Sequence, residues 1–405
     1  MIQPVNPNRF IPSFVCTFMV YGALTPYLSI LVRGLGYSPF WVGILLGVFE
    51  GAGVAGPFVF GYLTDRTGNY RMALITATVL PVLAVVPLIV FIHPLISMVM
   101  LALMAFGFRS TTSLLDAVTT IQIGKTGDYG KIRVTGSLSF ILFTLFLQWT
   151  PFFKPHSAGT ISFWIGLSSV AAIIPIMLLP GASTLVETGA ALKTFGRNPG
   201  FHRNSGRVLS PAPGSGRLPL MSAFFIGGFS IIFLCRLAMA AVYTYFPLYL
   251  TEVLRWDAVG LMFALATAAE VPCMFLSGRL IRRFGPLPLL ALSAAGISVR
   301  LLVWALFPYK ACIIAAQMLH SLCFGIYHPA AVNFITVTFP PEKRGTGMSV
   351  YLALGSGLPA LMGNMLGGAL VENTGYRGLF ALYAGFTGIA LFVYGLVTLG
   401  SRTKQ

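Results

Sequence analysis

Twelve apolar runs of about 20 residues dominate the chain, each long enough to cross roughly 30 Å of hydrocarbon as a helix. They fall near 11–31, 40–63, 72–92, 95–122, 132–152, 160–180, 220–250, 257–281, 286–307, 309–339, 346–371 and 377–399. None alternates with period two and all are too long for barrel strands, so the pattern predicts an all-α integral membrane protein with twelve transmembrane helices. The first run is too long for the apolar segment of a signal peptide and no small-residue cleavage pattern closes it, so it is read as the first span.

Between the sixth and seventh runs, residues 182–219 break the pattern with Gly, Pro and Ser among scattered basic residues. This predicts an N-terminal six-helix bundle (1–181), a cytoplasmic linker (182–219) and a C-terminal six-helix bundle (220–405). At a constant offset of 217, Gly43 meets Gly260, Gly61 meets Gly278, Leu63 meets Leu280, Arg66 meets Arg283 and Gly68 meets Gly285. The two halves are therefore read as parallel repeats, the architecture of carriers that rock two halves about a site at mid-depth.

Composition enters here because only 9% of the 405 residues are charged, too few to coat a water-soluble body, yet the formal net charge is +16. An excess of that size is compatible with nucleic acid, an anionic substrate or basic membrane loops, and its distribution decides. Of the 26 Lys and Arg, 17 lie on the side that bears both termini, five on the other and four inside spans. The positive-inside rule places both termini in the cytoplasm, assigns most of the charge to topology and leaves no case for a nucleic-acid partner. The five cysteines, Cys16, Cys235, Cys273, Cys312 and Cys323, all lie in apolar spans without disulfide or metal spacing.

The second span ends in Gly61-Tyr-Leu-Thr-Asp65-Arg66-Thr-Gly68-Asn-Tyr-Arg71, and a half-copy, Gly278-Arg-Leu-Ile-Arg282-Arg283-Phe-Gly285, ends the eighth. This loop resembles the signature of the major facilitator superfamily. The resemblance implies the major facilitator fold and a gating role in which glycines admit close helices and Asp65 pairs with the arginines. The alternative for these residues is a positive-inside turn with no gating role.

A narrower resemblance covers most of the chain. Leu115-Asp116-Ala117, Asp128-Tyr-Gly-Lys-Ile-Arg133-Val-Thr-Gly136-Ser, Glu270, Arg300, His320 and His328 resemble the phenylpropionate permease branch and the sugar/proton symporters of lactose-permease type. The resemblance implies a bacterial cytoplasmic-membrane carrier in which Asp116 and Arg133 hold the solute, while Glu270, Arg300 and His320 belong to the proton and substrate network. Cys323 stands where the sugar permeases carry a carboxylate, and Glu50, Arg109 and Arg236 have no place in their pattern.

Read as residues alone, Glu50, Asp116 and Glu270 are three acids within apolar spans, each required to face water, pair with a cation or carry a proton. Under the repeat offset Glu50 and Glu270 lie one helical turn apart on equivalent helices. Arg109 and Asp116 share a face of the fourth span, two turns apart, so each is expected to find another partner: Arg133 for Asp116, and Glu50 or an anionic solute for Arg109. Arg236 and Arg300 add two guanidiniums against Glu270 in the second half, and guanidiniums bind planar anions bidentately. His320 and His328, nearly on one face, are candidates for proton relay or packing. Tyr243, Tyr245, Trp304 and Tyr327 are candidates to stack on a ring-bearing solute, or else packing.

The sequence therefore predicts a secondary active transporter: proton-coupled symport of a small organic solute, an aromatic or other carboxylate favoured, by alternating access. A sugar or nucleoside/proton symporter and a drug or metabolite efflux antiporter are the rival carriers; the run from Arg133 to Pro151 lacks the Gly-Pro motif that exporters share. No nucleophile, metal or nucleotide-loop constellation supports an enzyme. No cofactor beyond the proton gradient is expected, and the protein is expected to work as a monomer in the bilayer.

Overall fold

The computed structural model describes residues 6–123, 129–179 and 222–402, which are helical without a strand; the linker assigned to 182–219 lies outside them. Helices α1 (Ile11–Leu24) and α2 (Leu28–Gly34) form one span bent by 44°. They are followed by α3 (Pro39–Thr67), α4 (Tyr70–Val90), α5 (Pro94–Ile123), α6 (Tyr129–Trp149) and α7 (Ala158–Met177). The second half holds α8 (Ala223–Val253), α9 (Val259–Phe284), α10 (Pro286–Leu306), α11 (Lys310–Thr338) and α12 (Pro341–Leu399). The 59 residues of α12 would extend about 88 Å as one helix, nearly three times the hydrocarbon core, but Gly375 interrupts it with φ 70° and ψ 176°. Dividing α12 there, and counting the bent pair once, gives twelve crossings among the described residues.

The chain forms two compact units. The first comprises Met1–Tyr37, Val48–Arg203 and Ala258–Ala264; the second comprises Ser38–Gly47, Asn204–Asp257 and Leu265–Gln405. The start of α3 thus belongs to the second unit and the start of α9 to the first, an exchange of helix tips that hydropathy does not reveal. Repeat-related glycines make both tips possible. In the second unit, a methyl group on Gly43 would stand 2.7 Å from the Tyr245 hydroxyl and 3.0 Å from Gly368 Cα; in the first, one on Gly260 would stand 2.6 Å from the Tyr27 hydroxyl. Without a hydrophobic force between helices in lipid, such backbone proximity is a principal source of packing energy.

The offset of 217 is also kept in backbone conformation. Gly68 and Gly285 both adopt left-handed φ, 70° and 79°, where the chain turns out of α3 and α9, a geometry open to glycine at little cost. Apolar stripes cover the outer faces: Leu83, Val86 and Val90 on α4, and Phe163, Leu167, Val170 and Ile174 on α7, are exposed at helical spacing. A surface of that composition requires lipid rather than water.

Candidate functional site

The first unit builds two ion pairs along α5. The face of α3 bearing Glu50, Gly53 and Gly56 packs on the α5 face bearing Ala105, Phe106, Arg109 and Ser110. A methyl group on Gly53 would lie 2.9 Å from Arg109 Cγ, so the missing side chain is the groove in which the arginine stem rests. From there Arg109 Nη2 donates to Glu50 Oε1 at 2.9 Å, with 36% of the Arg109 side chain and 19% of the Glu50 side chain exposed.

Two turns farther along α5, Asp116 Oδ1 lies 3.7 Å from Arg133 Nε, with about a third of each side chain exposed. At that separation the pair is electrostatic, outside hydrogen-bond range. The Tyr129 hydroxyl bonds the Asp116 carboxylate and also contacts Arg133. The guanidinium of Arg133 lies 4.4 Å from the centre of the Phe18 ring. Phe18 stacks on Tyr21 and Tyr21 meets Phe108 at a tilt, at 5.1 and 4.1 Å between centres, and Thr112 Oγ1 donates to the Tyr21 hydroxyl at 3.0 Å. Gly136 opens the space for this platform, since a methyl group there would stand 2.7 Å from Phe18 Cδ2. Gly136→Val is expected to destabilise the first unit by about 1–3 kcal/mol through overpacking, read as a lower melting midpoint of the purified protein; an unchanged midpoint would contradict the contact.

In the second unit the polar residues meet around α11. Arg300 of α10, 1% exposed, donates from Nη1 to His320 Nδ1 at 2.8 Å and from Nη2 to Gln317 Oε1. Its guanidinium lies 4.6 Å from the Trp304 ring centre and within hydrogen-bond reach of the Cys323 thiol; its Nε has no partner. A guanidinium only donates, so His320 Nδ1 must be the accepting nitrogen. That leaves Nε2 facing Glu270, whose Oε2 is 3.7 Å away. Arg300 therefore reaches Glu270 through the imidazole rather than as its direct counter-ion. Gly325 seats Glu270 as Gly53 seats Arg109: a methyl group there would lie 3.3 Å from Glu270 Cγ.

His320, Phe324 and His328 form a ladder of near-parallel rings, 6.1 and 5.7 Å apart. The ladder follows from the spacing of four residues, which keeps side chains on one helix face, through the π-helical stretch Ser321–Ile326. His328 Nδ1 lies 3.3 Å from the Tyr351 hydroxyl. Arg236 is within electrostatic reach of Tyr243, Tyr327, His328 and Tyr351. Tyr243, in the π-helical stretch Ala241–Tyr245, meets the His320 ring edge-on at 6.2 Å between centres.

Several expectations are corrected. Trp304 is fully buried, stacked on Phe246 at 4.0 Å with Arg300 against its ring, and so is packing beneath the arginine rather than a solute platform. Tyr245 and Tyr327 are likewise buried, their hydroxyls bonded to the carbonyls of Asn364 and Ile232. In the signature loop Asp65 accepts from Tyr70 and makes no ion pair among the described residues, while Arg66 donates to Tyr62 and Arg71 to the Met177 carbonyl. Gly61 and Gly278 abut no neighbouring helix; Arg282 lies along its own helix and Arg283 against Phe284. Gln317, Tyr129, Phe18 and Phe324 join the clusters without having been singled out. For Gln317 the signal was its place three residues before His320.

Apolar outer faces around charged mid-span clusters define a multi-pass α-helical membrane carrier. The profile of the MFS_1 like family matches residues 13–382, and the chain belongs to that family, whose members here are transporters and not enzymes. It is 25% identical over 396 residues to "Maltose permease" of Geobacillus stearothermophilus, covering 95% of this chain and 93% of that one. It is 26% identical over 385 residues to "Probable 3-phenylpropionic acid transporter" of Escherichia coli, covering 91% of each. Among solved structures, the nucleoside transporter NupG superposes with a TM-score of 0.76 at 13% identity, over 97% of this chain and 98% of that one. The xylose transporter XylE from E. coli superposes with 0.66 at 13% identity, over 96% and 97%. Both similarities are of fold.

Proposed function

We propose that the protein imports a small organic anion, an aromatic carboxylate foremost, together with protons by alternating access across a bacterial cytoplasmic membrane, with both termini inside. In this reading it works as a monomer, its two bundles divide at the linker 182–219, and the proton gradient is its energy source. The observation that carries it is Arg300: a fully buried guanidinium bonded to two neutral acceptors, with Glu270 one imidazole away. A buried cation of this kind favours anionic partners nearby and ties the protonation of Glu270 to the orientation of His320. In this reading Arg236, half-buried beside Tyr243, His328 and Tyr351, meets the solute carboxylate, and the relative named for 3-phenylpropionic acid supports a ring-bearing acid.

Proteoliposomes with an acidic exterior and neutral lumen are expected to accumulate 3-phenylpropionate above the level of protein-free vesicles and to lose the gain when a protonophore is added. Preference for maltose or uridine in the same panel would replace the carboxylate reading with the sugar or nucleoside one. Accumulation of none of them would refute import of this class.

A further inference from the structure

We infer that Glu50 and Arg109 form a proton-for-carboxylate exchange site: the incoming solute carboxylate takes Arg109 from Glu50, and Glu50 takes up a proton as it leaves. The inference rests on the reading that the solute is an organic anion, and it assigns to the first unit a coupling step separate from Glu270.

Three observations carry it. First, the pair sits in the middle turns of α3 and α5, where a charged side chain open to anything but protein must face water. Yet 36% of the Arg109 side chain is exposed, almost twice the fraction for Glu50. The guanidinium is the accessible partner, and it is the one that binds carboxylates. Second, Arg109 does not depend on Glu50 for its position. Its stem lies in the groove left by Gly53, so the guanidinium stays in place when the acid departs. Third, the exposed charges form one wall: Asp116 and Arg133, each about one-third exposed, lie two turns along the same helix. A solute held at Arg133 against the Phe18 and Tyr21 rings is about 10 Å from Arg109 along the axis.

Charge balance then dictates the proton. Before exchange the site holds one guanidinium and one carboxylate, net zero. When the solute carboxylate bonds to Arg109, an ionised Glu50 would leave two carboxylates sharing one guanidinium. One proton from the solution on the solute side, added to Glu50, restores net zero; the Arg109–Glu50 ion pair breaks and the Arg109–solute ion pair forms. Each monocarboxylate thus binds with one proton at Glu50. The anion and this proton together carry no net charge, so the membrane potential neither drives nor opposes them; a second proton already on Glu270 before the solute binds would bring one net positive charge in with each anion.

The test is titration calorimetry of purified full-length protein with 3-phenylpropionate at one pH in two buffers of different ionisation enthalpy, which counts protons taken up on binding. Wild type is expected to take up about one proton per solute. Glu50→Gln, isosteric and unable to protonate further, is expected to bind as tightly or more tightly with no proton uptake. Arg109→Lys, which keeps the charge and loses the fork, is expected to weaken binding at least about tenfold, and 3-phenylpropionamide to bind without proton uptake. If wild type binds without taking up a proton, or if uptake survives in Glu50→Gln, the exchange site is refuted while anion transport stands. If no form binds the carboxylate, the reading beneath it falls as well. Thermal melting of each variant separates lost binding from lost fold, and should Glu50→Gln not fold, unchanged affinity in Arg109→Lys refutes the site alone.

Discussion

Replacing Arg300 with Ala is expected to lower proton-driven uptake by about two orders of magnitude, equivalent to about 2.7 kcal/mol at 1.36 kcal/mol per decade. The loss has a structural cause. Arg300 donates to His320 and Gln317 from a fully buried position, and its removal strands both acceptors, each at a cost of about 1–3 kcal/mol. The His320 ring then has no donor fixing its Nδ1 as acceptor, and its Nε2 is no longer held toward Glu270. Arg300→Lys separates charge from geometry: an ammonium on a flexible stem does not span both partners as the planar fork does, so uptake is expected to fall at least about tenfold. Measured initial rates in proteoliposomes decide the matter, and full activity in the lysine variant would contradict the role of the fork.

Glu270→Gln is expected to abolish pH-driven accumulation while exchange of preloaded for external solute continues. The amide keeps the size of the side chain and its seat against Gly325, so the helix contact survives. What it loses is the capacity to exchange a proton beside His320 Nε2. Exchange requires only that the loaded carrier alternate, whereas net uptake requires the proton to be released and the empty carrier to return. Loss of both activities would make Glu270 a structural residue, and retention of both would remove it from the proton path.

Much of the fold is legible in the sequence because lipid punishes any departure from long apolar helices. The twelve runs correspond to the helices once α12 is divided at Gly375, and the repeat visible as Gly68 and Gly285 is the same left-handed turn used twice. The pairing of Glu50 with Arg109, and of Asp116 with Arg133, was readable because buried charges require partners and few candidates exist. The contacts that needed three dimensions were not. Phe18 lies 115 positions before Arg133, and nothing in the apolar first span distinguishes it from its neighbours. The ladder through Phe324 uses the same spacing of four that puts His320 and His328 on one face, but an apolar ring between them carries no polar signal to single it out. Trp304 stayed open between solute platform and packing because an aromatic near an arginine suggests a solute site, while burial, which periodicity does not measure, makes it the floor beneath Arg300. In the signature loop, Asp65 meets Tyr70 rather than an arginine because the turn at Gly68 brings the start of α4 back toward it.

The central claim, that an organic anion enters with protons, is tested most directly by vesicles carrying a lumenal pH dye, with the membrane potential clamped at zero. External 3-phenylpropionate at acidic pH is expected to acidify the lumen of wild-type vesicles faster than that of protein-free ones, which set the rate of passive weak-acid entry, and Glu270→Gln vesicles are expected to follow the protein-free rate. Labelled solute entering wild-type vesicles above that baseline, with no proton entry beyond it, would contradict the account.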